Sequence, residues 1–179
     1  MRILLLLLGW LSLSAADIDG VIVPATVTVA GQELPLRGAD LLRWNWIVKI
    51  YVASAWLPVG AADPLTATPA RLGFTYRRSF TAEDLAKATR ATIVAGRTEA
   101  EVAALQAPLE RWNAAYTAVQ EGDVLTIDHL PGGTAVLAIN GQERLRLTDP
   151  GFAQALVGIW LGPATFDADL RDAMLGRQP

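Results

Sequence analysis

Few residues of this chain could do covalent or metal chemistry, because it has no cysteine and one histidine. Cysteine nucleophiles, iron–sulfur clusters, cysteine zinc sites and zinc sites with several histidines are therefore excluded. The histidine, His129, follows Asp128, and the two look like half of a catalytic pair. Adjacent residues of a regular strand point to opposite faces, so they cannot serve one site, and we expect His129 at the surface or rim. No glycine-rich phosphate loop and no Gly-x-Ser-x-Gly elbow is present.

An arginine and a tyrosine in an aromatic-rich stretch are the best candidates for binding. Residues 43–57 are rich in Trp, Val, Ile and Tyr and contain no Gly or Pro, which predicts one long β-strand. Read with period two, one face carries Arg43 and Tyr51, and is polar toward Arg43 and apolar toward Leu57. That face is either wetted by solvent or is the wall of a cleft whose cationic end binds an anionic head group. The two residues share it only if the strand is regular, because a bulge reverses the parity beyond it.

The opposite face of the same stretch is almost wholly apolar, and its indoles make it bulky. Its residues are Trp44, Trp46, Val48, Ile50, Val52, Ser54 and Trp56. We expect this face to pack against helices or a second layer.

Length and composition indicate one globular domain. The chain has 179 residues, of which 52% are apolar and 18% charged. The net charge is -3 and no long basic run occurs, which argues against nucleic-acid binding. A metal site made only of carboxylates would need a spaced acidic cluster, and none is evident, so no cofactor is expected.

The first residues have the pattern of a secretory signal. Arg2 supplies the charged start, residues 3–13 form the apolar core, and small residues end at Ala16. Cleavage before Asp17 would leave a mature domain of residues 17–179 in the periplasm or outside the cell. A buried helix or a membrane anchor is the alternative, but the apolar run is short for a span of about 20 residues. We therefore expect no membrane span in the mature protein.

The elements that must position these residues follow in the order strands, two helices, strands, two helices. Thr81 and Thr98 are predicted helix N-caps, each with an acidic residue three positions later. Strands at 124–130, 134–139 and 143–148 are joined by loops too short to cross over, so they must form an antiparallel meander. This order predicts an α+β fold with a mostly antiparallel sheet and segregated helices.

A series of short segments, in order along nearly all of the mature chain, matches one known pattern. They are residues 38–44, 48–58, 74–78, 122–123, 131–134, 139–141, 159–162 and 170–171. Together they resemble the chalcone isomerase-like family, in its bacterial exported branch. The resemblance implies an open-faced β-sandwich, in which a large antiparallel sheet carries a layer of helices on one face.

The family resemblance also implies candidate ligand-binding residues. Plant members cyclise chalcones to flavanones with an Arg assisted by Thr, Tyr and Asn, whereas other members bind fatty acids through an Arg and a Tyr. Arg43 is the best match to the family arginine, and Tyr51 falls where the plant enzymes place the catalytic Thr. The Tyr and Asn of the plant enzymes have no match in residues 83–92, which argues against chalcone isomerase activity.

Three functions therefore stay open. The first is non-catalytic binding of a small apolar, fatty-acid-like acid, with Arg43 pairing with the carboxylate and Tyr51 donating a hydrogen bond. The second is an intramolecular lyase (isomerase) acting on a polyphenol-like ketone, with Arg43 stabilising an enolate or phenolate. The third is a structural or interaction module without a ligand, which a cleft filled by Trp44, Trp46 and Trp56 would favour. Arg77 and Arg78 either end a strand in solvent or add positive potential near the cleft.

Overall fold

The computed structural model describes residues 15–177. The predicted signal peptide of residues 1–16 lies almost wholly outside this range and stays a prediction. Within the range, the strands are β1 (Ala16–Ile18), β2 (Val21–Val23), β3 (Thr26–Val29), β4 (Gln32–Trp44), β5 (Val48–Trp56), β6 (Ala70–Tyr76), β7 (Val124–Leu130), β8 (Thr134–Ile139) and β9 (Gln142–Thr148). The helices are α1 (Ala82–Val94), α2 (Glu99–Ala114), α3 (Pro150–Leu161) and α4 (Ala168–Met174).

The strands from β3 to β9 form one seven-stranded antiparallel sheet in chain order. One face of the sheet packs against the helices through the larger hydrophobic core. The other face is partly covered by the separate β1–β2 hairpin through a smaller core. The predicted α+β fold, a large antiparallel sheet with a helical layer on one face, is confirmed.

Local sequence rules fix the starts of the helices as predicted. The Thr81 side chain accepts from the Asp84 backbone N–H, and the Asp84 carboxylate accepts from the Thr81 backbone N–H. Thr98 and Glu101 form the same capping box at the start of α2. Each box satisfies backbone N–H groups that would otherwise have no partner.

The strand predicted over residues 43–57 is instead a hairpin, and that prediction is wrong. Asn45 and Trp46 both have left-handed backbone angles, with φ of 50° and 65°, and they form the turn between β4 and β5. Beside the turn, Leu42 pairs with Tyr51 but Arg43 pairs with Lys49, so Ile50 has no partner across β4. This bulge breaks the alternation on which a shared face for Arg43 and Tyr51 depended.

Both faces of β5 are buried, but by different layers. Tyr51, Ala53 and Ala55 belong to the core under the helices, whereas Val52 and Trp56 belong to the core under the β1–β2 hairpin. The Trp56 indole donates to the Pro24 carbonyl at 2.9 Å. The apolar face of β5 therefore packs against a second layer as expected.

The remaining indoles of the expected packing face are not buried. Trp44, the last residue of β4, is 64% exposed, and Trp46, in the turn that follows, is 89% exposed. Their predicted burial is wrong.

His129 is buried, with 6% of its surface exposed, so its predicted surface or rim position is wrong. It shares the helix-facing side of β7 with Leu125 and Ile127. Asp128 points the other way, as expected, and accepts two hydrogen bonds from the Arg71 guanidinium at 2.6 and 2.7 Å. Burial without a hydrogen-bond partner at Nδ1 lowers the pKa of His129, because desolvation disfavours the charged imidazolium.

We expect this buried imidazole to make stability depend on pH between 7.5 and 5.5. The pKa of His129 is lower in the folded state than the ordinary value of about 6.5, so below that pH the unfolded chain binds more protons. The neutral His129 side chain therefore contributes its full share of the folding stability above the unfolded-state pKa, and this share is lost as pH falls through the folded-state pKa. In urea unfolding of tag-free protein, the free energy of unfolding should fall as the pH is lowered, by at most about 1.4 kcal/mol per pH unit.

The control is His129→Leu, which removes the chain's one histidine and should flatten this dependence. All other titratable groups are the same in the two proteins, so the difference between their slopes reports His129. An unchanged slope in the variant would contradict the assignment.

Candidate ligand-binding cleft

A cleft of about 640 Å³ opens between the sheet and the helical layer. It lies at the end of the sheet where β4 ends, β5 begins and β6 ends. Its lining residues are Leu42, Ile50, Tyr51, Phe74, Tyr76, Arg78, Ser79, Phe80, Asp84, Leu85, Ala88, Thr89, Ala91, Thr92, Tyr116, Leu125, Ile159, Trp160 and Phe166. Most are apolar or aromatic, and the volume is typical of sites for small molecules.

Aromatic rings from neighbouring strands build the sheet side of the cleft. Tyr51 is opposite Tyr76 in the β5–β6 register, and their ring centroids are 5.7 Å apart at an interplanar angle of 78°. Phe74 contacts Tyr51 edge to face at 5.2 Å, and Trp160 of α3 lies 4.4 Å from Phe74. Edge-to-face contacts are favourable because the ring edge is positive and the face negative. The wall is therefore a set of packed rings that is apolar apart from its hydroxyl groups and the Trp160 indole N–H.

Two of the tyrosine hydroxyls accept hydrogen bonds from indoles. The Trp160 Nε1–H donates to the Tyr51 hydroxyl at 3.0 Å, and the Trp112 Nε1–H donates to the Tyr116 hydroxyl at 3.0 Å. The Tyr116 hydroxyl also pairs with the Thr89 hydroxyl at 2.9 Å. Burial raises the pKa of Tyr51 and of Tyr116 above the ordinary value, so both stay neutral. Since its indole bond uses only a lone pair, the Tyr51 hydroxyl keeps its proton for a ligand.

The third hydroxyl, that of Tyr76, forms no hydrogen bond within residues 15–177. Its residue is 6% exposed, and burial raises its pKa well above the ordinary value. A neutral phenol in an apolar wall can donate to a ligand oxygen and accept from a ligand hydroxyl. Among the three tyrosines of the cleft, Tyr76 therefore has the most hydrogen-bonding capacity left.

A cation lies at the mouth of the cleft. Arg78 is exposed, and its guanidinium lies 5.7 Å from the centre of the Phe80 ring. In the part of the chain that the structure describes, Arg78 forms no salt bridge. The one carboxylate in the lining, Asp84, accepts hydrogen bonds from the Thr81 hydroxyl and from the Thr81 backbone N–H. The bond from the hydroxyl, and after it the bond from the backbone, lower the pKa of Asp84. Arg78 is thus the cation free to pair with an anionic ligand.

The two residues predicted to bind ligand are not brought together. Tyr51 lines the cleft, whereas Arg43 does not line it and is exposed on the β4–β5 hairpin. On that hairpin, Arg43 pairs with Lys49 across the strands, and Lys49 donates a hydrogen bond to Asp19 of the β1–β2 hairpin at 2.8 Å. The predicted ligand-binding role of Arg43 therefore has no geometric support here, and that of Tyr51 stays a prediction consistent with its place.

The three indoles that would fill the cleft in a module without a ligand do not lie in it. Trp44 and Trp46 are exposed at the turn, and Trp56 lies on the other face of the sheet. The cleft is open.

Sequence reasoning missed the side chains that face the cleft from outside β5. Tyr76 alternates with Leu72 and Phe74 on β6, so its side of the sheet was readable, but its pairing with Tyr51 was not. Thr89 and Tyr116 come from α1 and from the segment after α2, and only tertiary packing brings them together. Arg78 was noted as a possible source of positive potential.

A second groove of about 500 Å³ lies between the α1–α2 connection and α3. Its charged side chains are both engaged. Arg97 donates to the Ile93 carbonyl, and Glu101 belongs to the capping box of α2. We therefore place the candidate site in the first cleft.

Two further findings bear on the site. Over residues 15–177, no group of three or more His, Cys, Asp or Glu side chains is arranged to hold a metal ion. In the same range, no helix combines the length and the apolar character needed to span a membrane.

The family model for chalcone isomerase-like proteins matches residues 15–176, and the chain belongs to this family. Among solved structures, it is similar to a fatty-acid binding protein of Arabidopsis thaliana. The TM-score is 0.67 at 11% identity, over 88% of this chain and 92% of the plant protein. At this identity the likeness shows a common fold. No curated protein matches the chain.

The hydroxyl network predicts that two similar substitutions change the free energy of unfolding by different amounts. Tyr116→Phe leaves the fully buried Trp112 indole N–H and the Thr89 hydroxyl without their partner, which should cost about 1–3 kcal/mol. Tyr76→Phe breaks no hydrogen bond within the described range and should change stability by less than about 0.5 kcal/mol. Urea unfolding of both variants measures the difference, and equal losses would contradict the network.

Proposed function

We propose that this chalcone isomerase-like protein binds a small apolar acid, of the fatty-acid kind, in the cleft and does not convert it. The observation that carries the proposal is the Arg78 guanidinium, which forms no salt bridge within residues 15–177 and lies at the mouth of an apolar cavity whose tyrosine hydroxyls are neutral. A carboxylate at the mouth would pair with Arg78, and the tail would lie against the aromatic wall. The fatty-acid binding neighbour of the same fold supports this reading.

The ionisable groups of the cleft support binding over catalysis. Efficient general acid–base catalysis needs a group whose pKa lies near the working pH. The described lining residues offer tyrosines with raised pKa values and Asp84 with a lowered one. These hydroxyls can orient a ligand oxygen, but they are poor proton acceptors at neutral pH.

Most of the binding free energy would come from the tail. Burying one methylene contributes about 0.8 kcal/mol, whereas an exposed ion pair contributes about 0.2–1 kcal/mol. Arg78 would therefore orient the acid and select for charge, and the apolar wall would hold it. Export behind a cleaved leader, and with it a periplasmic ligand, stays a prediction from the sequence.

Calorimetric titration with saturated acids of increasing length tests the proposal. Affinity for hexanoate, octanoate and decanoate should rise about fourfold per methylene until the cleft is filled. Arg78→Gln should weaken decanoate binding by roughly 1.4-fold to fivefold and leave decanol binding unchanged, because only the acid carries a charge.

The matched control is Arg43→Gln, which removes an exposed guanidinium outside the cleft lining. It should leave decanoate affinity unchanged. If Arg43→Gln lost decanoate affinity and Arg78→Gln did not, the carboxylate would bind Arg43, as the sequence indicated, and not Arg78. No binding of any acid would refute the proposed function.

A further inference from the structure

The turn between β4 and β5 carries an exposed apolar cluster. We call residues 43–49 the β4–β5 tip. Trp46 is 89% exposed, Ile47 is 84% exposed and Trp44 is 64% exposed. Large apolar side chains scattered singly on a surface need no explanation, but a contiguous group is typical of a contact site.

The backbone of the β4–β5 tip gives a second reason to ascribe a role to Trp46. In the described chain, other pairs of successive left-handed residues have glycine second, at Gly20, Gly31, Gly133 and Gly141. In the tip the second residue is Trp46, with φ of 65°. A side chain in this conformation is strained, and glycine is the residue that favours such turns. The indole is therefore held in place against the local conformational preference.

Cationic side chains surround the base of the tip. Lys49 forms a salt bridge with Asp19 at 2.8 Å, and Arg77 lies 3.4 Å from the same carboxylate. The charge of Arg43 also lowers the pKa of Asp19, after the larger effect of the hydrogen bond from Lys49. Two cations thus form ion pairs with Asp19, Arg43 adds a third positive charge on the same hairpin, and these four side chains together carry a net positive charge.

Shape and chemistry together favour a lipid surface over a protein as the partner. A stable protein interface buries about 800 Å² on each side, which a convex tip with few apolar side chains does not supply. Tryptophans concentrate at the membrane–water interface, and basic side chains beside them are attracted to anionic lipids. We propose that the β4–β5 tip inserts Trp44, Trp46 and Ile47 into the interface of an anionic lipid bilayer.

The tip is continuous with the mouth of the cleft. Leu42 and Tyr51 pair across β4 and β5 and both line the cleft. The turn lies three residues beyond Leu42, which is about 10 Å along a strand. Docking by the tip would bring the open end of the cleft to the lipid surface. The docking itself does not rest on the ligand proposed above, and it is tested on ligand-free protein.

Co-sedimentation with vesicles tests the docking. Purified protein should bind vesicles of phosphatidylglycerol and phosphatidylethanolamine more tightly than vesicles of phosphatidylcholine. Trp46→Gly should lower binding to both at least about tenfold, because one indole is no longer buried. The same variant should have a raised Tm, since glycine relieves the turn, so its loss of binding cannot be ascribed to misfolding.

Two further variants make the test specific. The parent protein and all three variants are prepared with the same N-terminus. Val59→Ser removes an apolar side chain that is 88% exposed in another loop, and it should bind like the parent. Arg43→Gln should weaken binding to the anionic vesicles about fivefold and leave binding to phosphatidylcholine unchanged.

Three results would overturn the inference. They are no vesicle binding by the parent protein, equal losses in Trp46→Gly and Val59→Ser, and a parent dimer that Trp46→Gly converts to a monomer without any vesicle binding. The last would make a second copy of the chain the partner. Vesicle binding without affinity for decanoate would keep the docking and refute only the proposed ligand.

Discussion

One hydrogen bond ties the helical layer to the sheet at the cleft, from the Trp160 indole to the Tyr51 hydroxyl. It satisfies two polar groups that would be costly to bury alone, and it fixes α3 against β5. Phe74 packs against both rings, so the sheet side of the cleft is set by the same contact. Tyr51 and Trp160 both lie in segments by which the sequence resembles the family. Their pairing gives a physical reason for their place in those segments.

The cleft combines an apolar wall with hydroxyls that burial keeps neutral. A buried charge would have needed a partner inside the protein, which would remove it from any ligand. Neutral phenols can donate hydrogen bonds without that cost, and the cation sits at the mouth, where water still solvates it. Such an arrangement separates affinity, supplied by the wall, from orientation, supplied by Arg78 and the hydroxyls.

The helices and the meander could be predicted because their signals are local. The capping boxes at Thr81 and Thr98 follow from residues three positions apart, and the Asn140–Gly141 turn follows from adjacent residues. The β4–β5 hairpin could not be predicted in this way. Its turn carries Trp46 where glycine is usual, so the stretch has the composition of an uninterrupted strand.

The site was predictable only in part, for the same reason. Tyr51 was predicted on a face that is either wetted by solvent or the wall of a cleft, and it lines the cleft. Arg43 was assigned to that wall by a parity that the turn and the Ile50 bulge reverse. Thr89, Tyr116 and Trp160 approach from three separate segments, and no spacing rule in the sequence connects them to β5.

The central claim is that the open cleft holds an apolar acid. Native mass spectrometry of the protein isolated from its own cells, without added ligand, tests it most directly. We expect a co-purified species whose released mass is that of a long-chain carboxylic acid, at up to one per chain. A protein that is empty in every preparation, or that carries a neutral or polyphenolic molecule instead, would contradict the account.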